Sequence, residues 1–215
     1  MMACVNRSFQ HPGERRWLST ARDEQRAPRI MSSLKQLLYS DLARQYELEG
    51  RHELRPNFWR FLARLFHYRF LPNVVYRISR SAMLAGIPLV PNVLTYLNLV
   101  LFGLEITPRC EVGPGVFFAH TSGSVIGAAR IGSNVTILAG VNLGAQELDM
   151  SFDPALRPEI GNNVVLGAGC KVLGPVRIAD NVIVGANSVV LHSVEVNTIV
   201  AGVPARKIGV APIPR

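Results

Sequence analysis

The chain has 215 residues, room for one substantial core or two small domains, and 48% of them are hydrophobic, which excludes a disordered protein. Its formal charge of +8 and pI near 10.0 point to an anionic partner. No RNP-type, zinc-finger or helix-turn-helix signature favours nucleic acid as that partner. Cys4, Cys110 and Cys170 are odd in number and far apart, with no CxxC, which argues against a disulfide framework and a zinc site and fits a reducing, cytoplasmic compartment.

Residues 1–30 are polar and patternless and lack the apolar core of a signal peptide; they read as a disordered tail or a misassigned start. A helical domain is expected over 31–104. Leu34, Leu37, Leu38, Leu42 and Tyr46 recur at helical spacing behind Ser32 or Ser33 as a cap. Asn57 can cap a second helix, NFWRFLARLFHYRF, expected to end before Pro72. A third is expected from Asn73 to Ala85, stopped by Gly86 and Pro88, and Pro91 can start a fourth through NVLTYLNLVLF. Six arginines (55, 60, 64, 69, 77 and 80) and no acid occur between Arg55 and Leu104, and residues 81–104 carry no charge. Pro88, Pro91, Asn92 and Asn98 interrupt that apolar run, which favours a buried helix over a membrane span. The basic stretch nevertheless suits a membrane-proximal face.

Beyond residue 105 helical spacing disappears. Residues 160–195 divide into IGNNVV, LGAGCK, VLGPVR, IADNVI, VGANSV and VLHSVE, each opening on an aliphatic residue. The register runs through Ile131, Ile137 and Leu143, is interrupted over 146–158, and resumes at Ile160, Leu166, Val172, Ile178, Val184, Val190 and Val196. Six matches neither the two-residue alternation of a long strand nor the 3.6 of a helix. It matches a short strand followed by a corner, three of which make a coil, with coils stacked through parallel backbone hydrogen bonds. The small fifth-position residues Val135, Val141, Val164, Cys170, Val176, Val182 and Ser188 should fill the interior beside the corners. Residues 105–215 are therefore expected to form a parallel β-helix, giving a mainly β chain with a helical N-terminal region. The period does not set its hand.

The hexads resemble those of the hexapeptide-repeat acyltransferases, and GLEITPRCEVGPGVFFAHTSG, VTILAGVNLGA and SVVLHSVEVNTIVAGVPARKIG are similar, in order and spacing, to serine acetyltransferases. The likeness covers roughly residues 33–209. It implies a single-stranded left-handed β-helix and a homotrimer, with pairing of two trimers left open. It implies an acetyl-CoA-dependent O-acetyltransferase without a metal, with His120 as general base, the imidazole suiting proton removal near neutrality. Glu105, fifteen residues earlier, holds the place of the carboxylate that fixes the histidine. The donor would lie in a groove between neighbouring β-helices, against Gly144, Ala145, Ala168 and Ala186, with Arg206 and Lys207 for its phosphates. His52, His67 and His192 lack such context.

Three departures from the family pattern bear on the acceptor. Ala119 replaces an aspartate before the histidine, Leu156-Arg157-Pro158 replaces Arg-His-Pro, and residues 55–104 supply no acid to meet an amino-acid ammonium. The loop 146–156 brings Glu147, Asp149 and Asp153, which with Arg157 are expected to contact the acceptor. One residue is also missing between His120 and Ile131, so a corner there is expected to be reshaped. The expected acceptor is accordingly a hydroxyl on a sugar, a polysaccharide precursor or another small metabolite. Serine O-acetylation for cysteine synthesis is the alternative, and a non-catalytic β-helix scaffold the alternative of another class.

Overall fold

The six-residue period closes into three short sides. The structure, a computed structural model, describes residues 33–212, so the expectation for residues 1–30 lies outside the described residues. The first sheet stacks β1 (Leu104–Ile106), β4 (Ser124–Ile126), β7 (Asn142–Gly144), β10 (Lys171–Leu173) and β13 (Val189–Val190). The second stacks β2 (Glu111–Val112), β5 (Arg130–Ile131), β8 (Glu159–Ile160) and β11 (Arg177–Ile178). The third stacks β3 (Phe117–Phe118), β6 (Thr136–Ile137), β9 (Val165–Leu166), β12 (Ile183–Val184) and β14 (Thr198–Gly202). These pairings are parallel; only β15 (Ala205–Val210) turns back antiparallel on β14. Each coil visits each sheet once, which makes a parallel β-helix.

The hexad openers form three columns. Ile106, Ile126, Leu143, Val172 and Val190 stack in the first sheet; Val112, Ile131, Ile160 and Ile178 in the second; Phe118, Ile137, Leu166, Val184 and Val200 in the third. All are buried, each contributing ~1.5–3 kcal/mol against leaving it in water. The expected fifth-position residues, Cys170 and Ser188 among them, are buried as well. Fourth positions turn the corners with positive φ, on Asn134, Asn163, Asn181 and Asn187 or on Gly140 and Gly169. Coils approach so closely that a Cβ on Gly132 would sit 2.6 Å from the Gly161 carbonyl.

Two register details differ from the sequence expectation. The columns begin a full coil earlier, at Ile106, Val112 and Phe118, which a reading anchored on Ile131 missed. At the other end Ile178 bridges Val194, not Val196, and Val196 is 55% exposed. The last second-sheet side is two residues short. Asn197 takes the left-handed corner there, which delivers Val200 beneath Val184.

Helix α1 (Leu34–Leu48) starts at a capping box of Ser33 and Gln36. Helix α2 (Phe58–Arg64) is capped by Asn57, whose Oδ1 accepts from the Arg60 N–H at 2.9 Å. It ends six residues before the expected boundary. Phe61, Leu65, Phe70 and Leu71 all pack on the Leu38–Leu42–Tyr46–Val74 cluster, and a straight helix could not turn all four toward it. Pro72 does not stop a helix. It lies in the first turn of α3 (Leu71–Leu84), where its missing N–H costs nothing. Helix α4 (Val90–Phe102) carries Pro91 in its first turn and ends on Gly103 at φ 62°. Asn98 donates to Pro72 O at 3.1 Å, tying α4 back to α3. No helix of the described residues is long and apolar enough to cross a membrane.

Helices and coils form one compact unit, and a buried ion pair joins them. Arg77 Nε donates to Asp41 Oδ2 at 2.9 Å, and both side chains are buried. Arg77 also donates to the carbonyls of Val112 and Gly113 at 2.6 Å, while Asp41 Oδ1 accepts from the N–H groups of Gly115 and Val116 at 2.9 and 3.1 Å. Burial raises the Asp41 pKa, and these donors oppose that rise. Tyr76 and Asn73 add hydrogen bonds to Cys110 O and Val116 O at 2.6 and 3.0 Å. Burial pushes the thiols of Cys110 and Cys170 up to about 12, so both pack as apolar residues. Asp41→Ala is expected to cost ~3–5 kcal/mol, because it leaves a buried guanidinium uncompensated. Asp41→Ala with Arg77→Met should recover part of that loss, and urea denaturation midpoints of the two variants check it.

Candidate active site

Each coil passes from the third sheet to the first around a corner, and the slot two residues past the third-sheet core residue is small. Ala139, Ala168, Ala186 and Gly202 follow Ile137, Leu166, Val184 and Val200. The Gly169 and Asn187 N–H groups donate to Ala139 O and Ala168 O at 2.8 Å, stacking corner on corner. In the first coil the same slot, two residues past Phe118, holds His120. The structure thus brings His120, Ala168 and Ala186 onto one edge, ~19 Å long over four coil steps of ~4.8 Å. The β14–β15 hairpin closes that edge, with Arg206 opposite Ala201 and Lys207 opposite Val200. Both are exposed, and neither has an acidic partner among the described residues.

The His120 corner is enlarged. From Phe118 to Ile126 the chain takes eight residues, where Ile137 to Leu143 takes six. His120 is exposed to solvent there. Thr121 Oγ1 donates to Phe102 O at 2.7 Å and the Gly123 N–H to Gly103 O at 3.0 Å, anchoring the loop where α4 becomes β1. Two residues on stands Glu105, exposed on the outer face of β1. His120 and Glu105 therefore stand on segments that share an anchor, although no hydrogen bond or ion pair joins their side chains in the single chain.

Gly144 and Ala145 lie on the other edge of the first sheet, one and two residues past Leu143. Within one chain the expected donor-binding residues are consequently divided between two edges. The second edge borders a cleft of about 620 Å³ between the coils, the α3–α4 connection and the 146–158 loop. Glu105, Gly144, Asp149 and Arg157 all line it, with Thr107 and Arg109. Arg109 escaped the sequence reading, its one signal being a basic residue in GLEITPRC, two strands' length from the histidine motif.

The loop residues expected to meet an acceptor mostly hold one another. Arg157 Nε and Nη2 donate to Asp149 Oδ2 at 3.0 and 2.8 Å, and its guanidinium covers the Phe152 ring at 4.1 Å. Ser151, Arg157 and the Asp153 N–H hold the Asp149 carboxyl down to about 2. Asp153 caps the short 3-10 turn Pro154–Leu156 by accepting from the Ala155 N–H at 2.9 Å. Glu147 is exposed, with no hydrogen bond among the described residues. The missing residue between His120 and Ile131 reshapes a corner as expected: Ile126 to Ile131 takes five residues, and Arg157 Nη1 donates to Gly127 O at 2.9 Å beside it. Arg109 Nη1 pins the loop through Ser151 O at 2.6 Å. His67 Nδ1 accepts from the Arg69 N–H at 3.3 Å and burial lowers its pKa, while His52 and His192 are exposed, His192 in the slot past Val190 that Ala145 holds past Leu143. Among the described residues no group of three or more His, Cys, Asp or Glu could hold a metal.

A triangular coil of hexads with a histidine at an enlarged corner belongs to the hexapeptide-repeat class, and residues 157–192 match the family model for bacterial transferase hexapeptide (six repeats). The serine acetyltransferase of Synechococcus elongatus is 39% identical over 140 residues, 65% of this chain and 56% of its own length. That of Helicobacter pylori is 37% identical over 134 residues, 62% of this chain and 77% of its own length. The crystal structure of Brucella abortus serine acetyltransferase in complex with coenzyme A superposes with a TM-score of 0.72 at 27% identity, covering 93% of this chain and 75% of that one. The chain belongs to the serine acetyltransferase family. It spans a little over half the length of the first curated relatives it matches, 56% and 58%.

Arg157→Met is expected to release the loop, raising hydrogen exchange across 147–156 roughly 10-fold while the coils stay protected. Because the Asp149 pKa is depressed, its contribution is complete above the ordinary carboxylate range and is lost only as pH falls toward about 2. Exchange corrected for intrinsic rates should therefore stay level in the loop between pH 7 and pH 5.

Proposed function

We propose that the protein is an acetyl-CoA-dependent O-acetyltransferase whose acceptor is L-serine. The observation that carries the transferase reading is the His120 corner, an exposed imidazole at the head of a small-residue edge and beside the strand that presents Glu105. In this reading His120 takes the proton of the acceptor hydroxyl as its oxygen attacks the thioester carbonyl. The tetrahedral intermediate collapses, the C–S bond breaks, and the proton passes to the departing sulfur. Glu105 fixes the imidazole and offsets its charge once protonated, closing onto it when the site is loaded.

The edge fits the donor. Ala168 and Ala186 leave the backbone accessible to an extended pantetheine arm, and Arg206 and Lys207 stand where its phosphates would end. Ala145 and Gly144, on the far edge, would meet the same arm only across a boundary with a second chain. That separation supports a homotrimer with shared sites.

Serine as acceptor rests on the relatives, which are named serine acetyltransferases. A sugar hydroxyl, expected from the missing acidic positions, gains no support from them. In the cleft Arg109 keeps guanidinium donors free for a serine carboxylate, having used one on Ser151 O. The test is thiol release from acetyl-CoA with L-serine, neutral sugars and no acceptor. Release with serine well above the other two is the expected result. Release with sugars alone would overturn the acceptor, and binding without release would leave a scaffold.

Two variants check the mechanism. His120→Ala should lower turnover by ~10²–10⁴-fold with the oligomer intact, general-base assistance being of that size. Glu105→Gln should lower kcat while acetyl-CoA affinity, measured by calorimetry, stays unchanged.

A further inference from the structure

Helix α2 packs by one side only. Phe61 stacks on Tyr39 at 6.0 Å and meets Phe70 edge-on at 5.6 Å, which fixes the helix on α1 and the start of α3. Its other side carries Phe58, Trp59 and Leu62, and the turn that follows adds Phe66 and Tyr68. These five are 61, 74, 42, 84 and 56% exposed. Phe58 and Trp59 hold each other edge to face at 5.4 Å, so the row is presented in a set arrangement. Single exposed apolar residues need no explanation, but a contiguous row of large ones marks an interface.

Charge decides what fits that interface. Arg64 is paired with Glu49, but Arg55, Arg60 and Arg69 have no carboxylate partner among the described residues. Arg60 donates to Arg55 O at 2.8 Å, and Arg69 lies over the Tyr68 ring at 5.2 Å, so all three frame the apolar row. No acid occurs between residues 55 and 104 to answer them. A second copy of this chain packed through the same patch would offer these arginines only apolar side chains and further arginines, since residues 55–69 contain no acid. An anionic bilayer would meet both features at once, since Trp and Tyr favour the headgroup region and arginine pairs with lipid phosphate. Helix α4 exposes another apolar face, including Val93, Tyr96 and Val100, but residues 81–104 hold no charge to choose its partner.

We propose that residues 55–69 form a peripheral docking surface for an anionic lipid bilayer, with Trp59 and Phe66 entering the headgroup region and Arg55, Arg60 and Arg69 meeting lipid phosphates. The inference is independent of the acceptor and of the transferase chemistry. It is tested with the full chain by co-sedimentation with vesicles of phosphatidylcholine alone and of phosphatidylcholine with phosphatidylglycerol at three parts in ten. The bound fraction should be ~10-fold higher on the anionic vesicles and should fall in high salt. Trp59→Ser with Phe66→Ser should lower binding ~10-fold with no loss of thermal stability, since both side chains are exposed. Arg55→Gln with Arg60→Gln should remove the preference for anionic lipid. Equal binding to both vesicles, or binding untouched by the serine variant, would overturn the proposal. So would lipid-free self-association in the ultracentrifuge that the serine variant abolishes, which would assign the patch to a second copy.

Discussion

The buried pair of Asp41 and Arg77 fixes where the helices meet the coils, and the candidate site follows from that placement. The β2–β3 turn is gripped from both sides: Arg77 takes the carbonyls of Val112 and Gly113, and Asp41 takes the N–H groups of Gly115 and Val116. Six backbone and side-chain groups that would otherwise be buried without partners satisfy each other. The same contact holds α3 against the first coil, which hangs the α3–α4 connection over the first sheet. One wall of the cleft beside Glu105 exists for this reason, and α4 runs directly into the strand that carries Glu105.

His120 and the Asp149–Arg157 loop of the candidate site lie where the repeat is broken. The coil is uniform wherever it only has to pack, and its departures from six are few. Two residues are gained between Phe118 and Ile126, one is lost before Ile131, eleven are gained between Leu143 and Ile160, and two are lost before Val194. The first gain enlarges the corner at His120, in the slot that the next coils fill with alanine. The long insertion supplies the Asp149–Arg157 loop, and the lost residue makes the corner against which Arg157 closes. A regular scaffold with local violations is the arrangement expected when stability and function are carried by different residues.

The positive charge of the chain is divided in the same way. Arg77 and Arg64 are spent on Asp41 and Glu49, and Arg80 on the carbonyls of Pro108 and Cys110 at 2.9 and 3.0 Å. Arg157 is spent on Asp149. Among the described residues without a carboxylate partner, Arg206 and Lys207 stand together at the end of the coil, and Arg55, Arg60 and Arg69 around α2. The two proposals assign these groups to anionic partners of different kinds, a phosphorylated donor at one and a lipid surface at the other.

The sequence by itself determined the coil. A side chain points inward once per side, so an aliphatic residue every six positions can mean little else, and the columns from Ile131 to Val190 follow from counting. His120 and Glu105 could be nominated from the sequence, through a family-like motif and a separation of fifteen, and the fold sets them on segments that share an anchor. The tertiary structure alone decided which of these residues share an edge. Positions Gly144 and Ala168 look equivalent in a list of small residues, yet they fall on opposite edges of one sheet, because Gly144 follows Leu143 of the first sheet and Ala168 follows Leu166 of the third. Only the fold could show that one acid of the loop, Asp149, neutralises Arg157. Aspartate and arginine eight residues apart in an irregular segment have no period to bring them together, and they meet beside the shortened corner, where Arg157 also donates to Gly127 O.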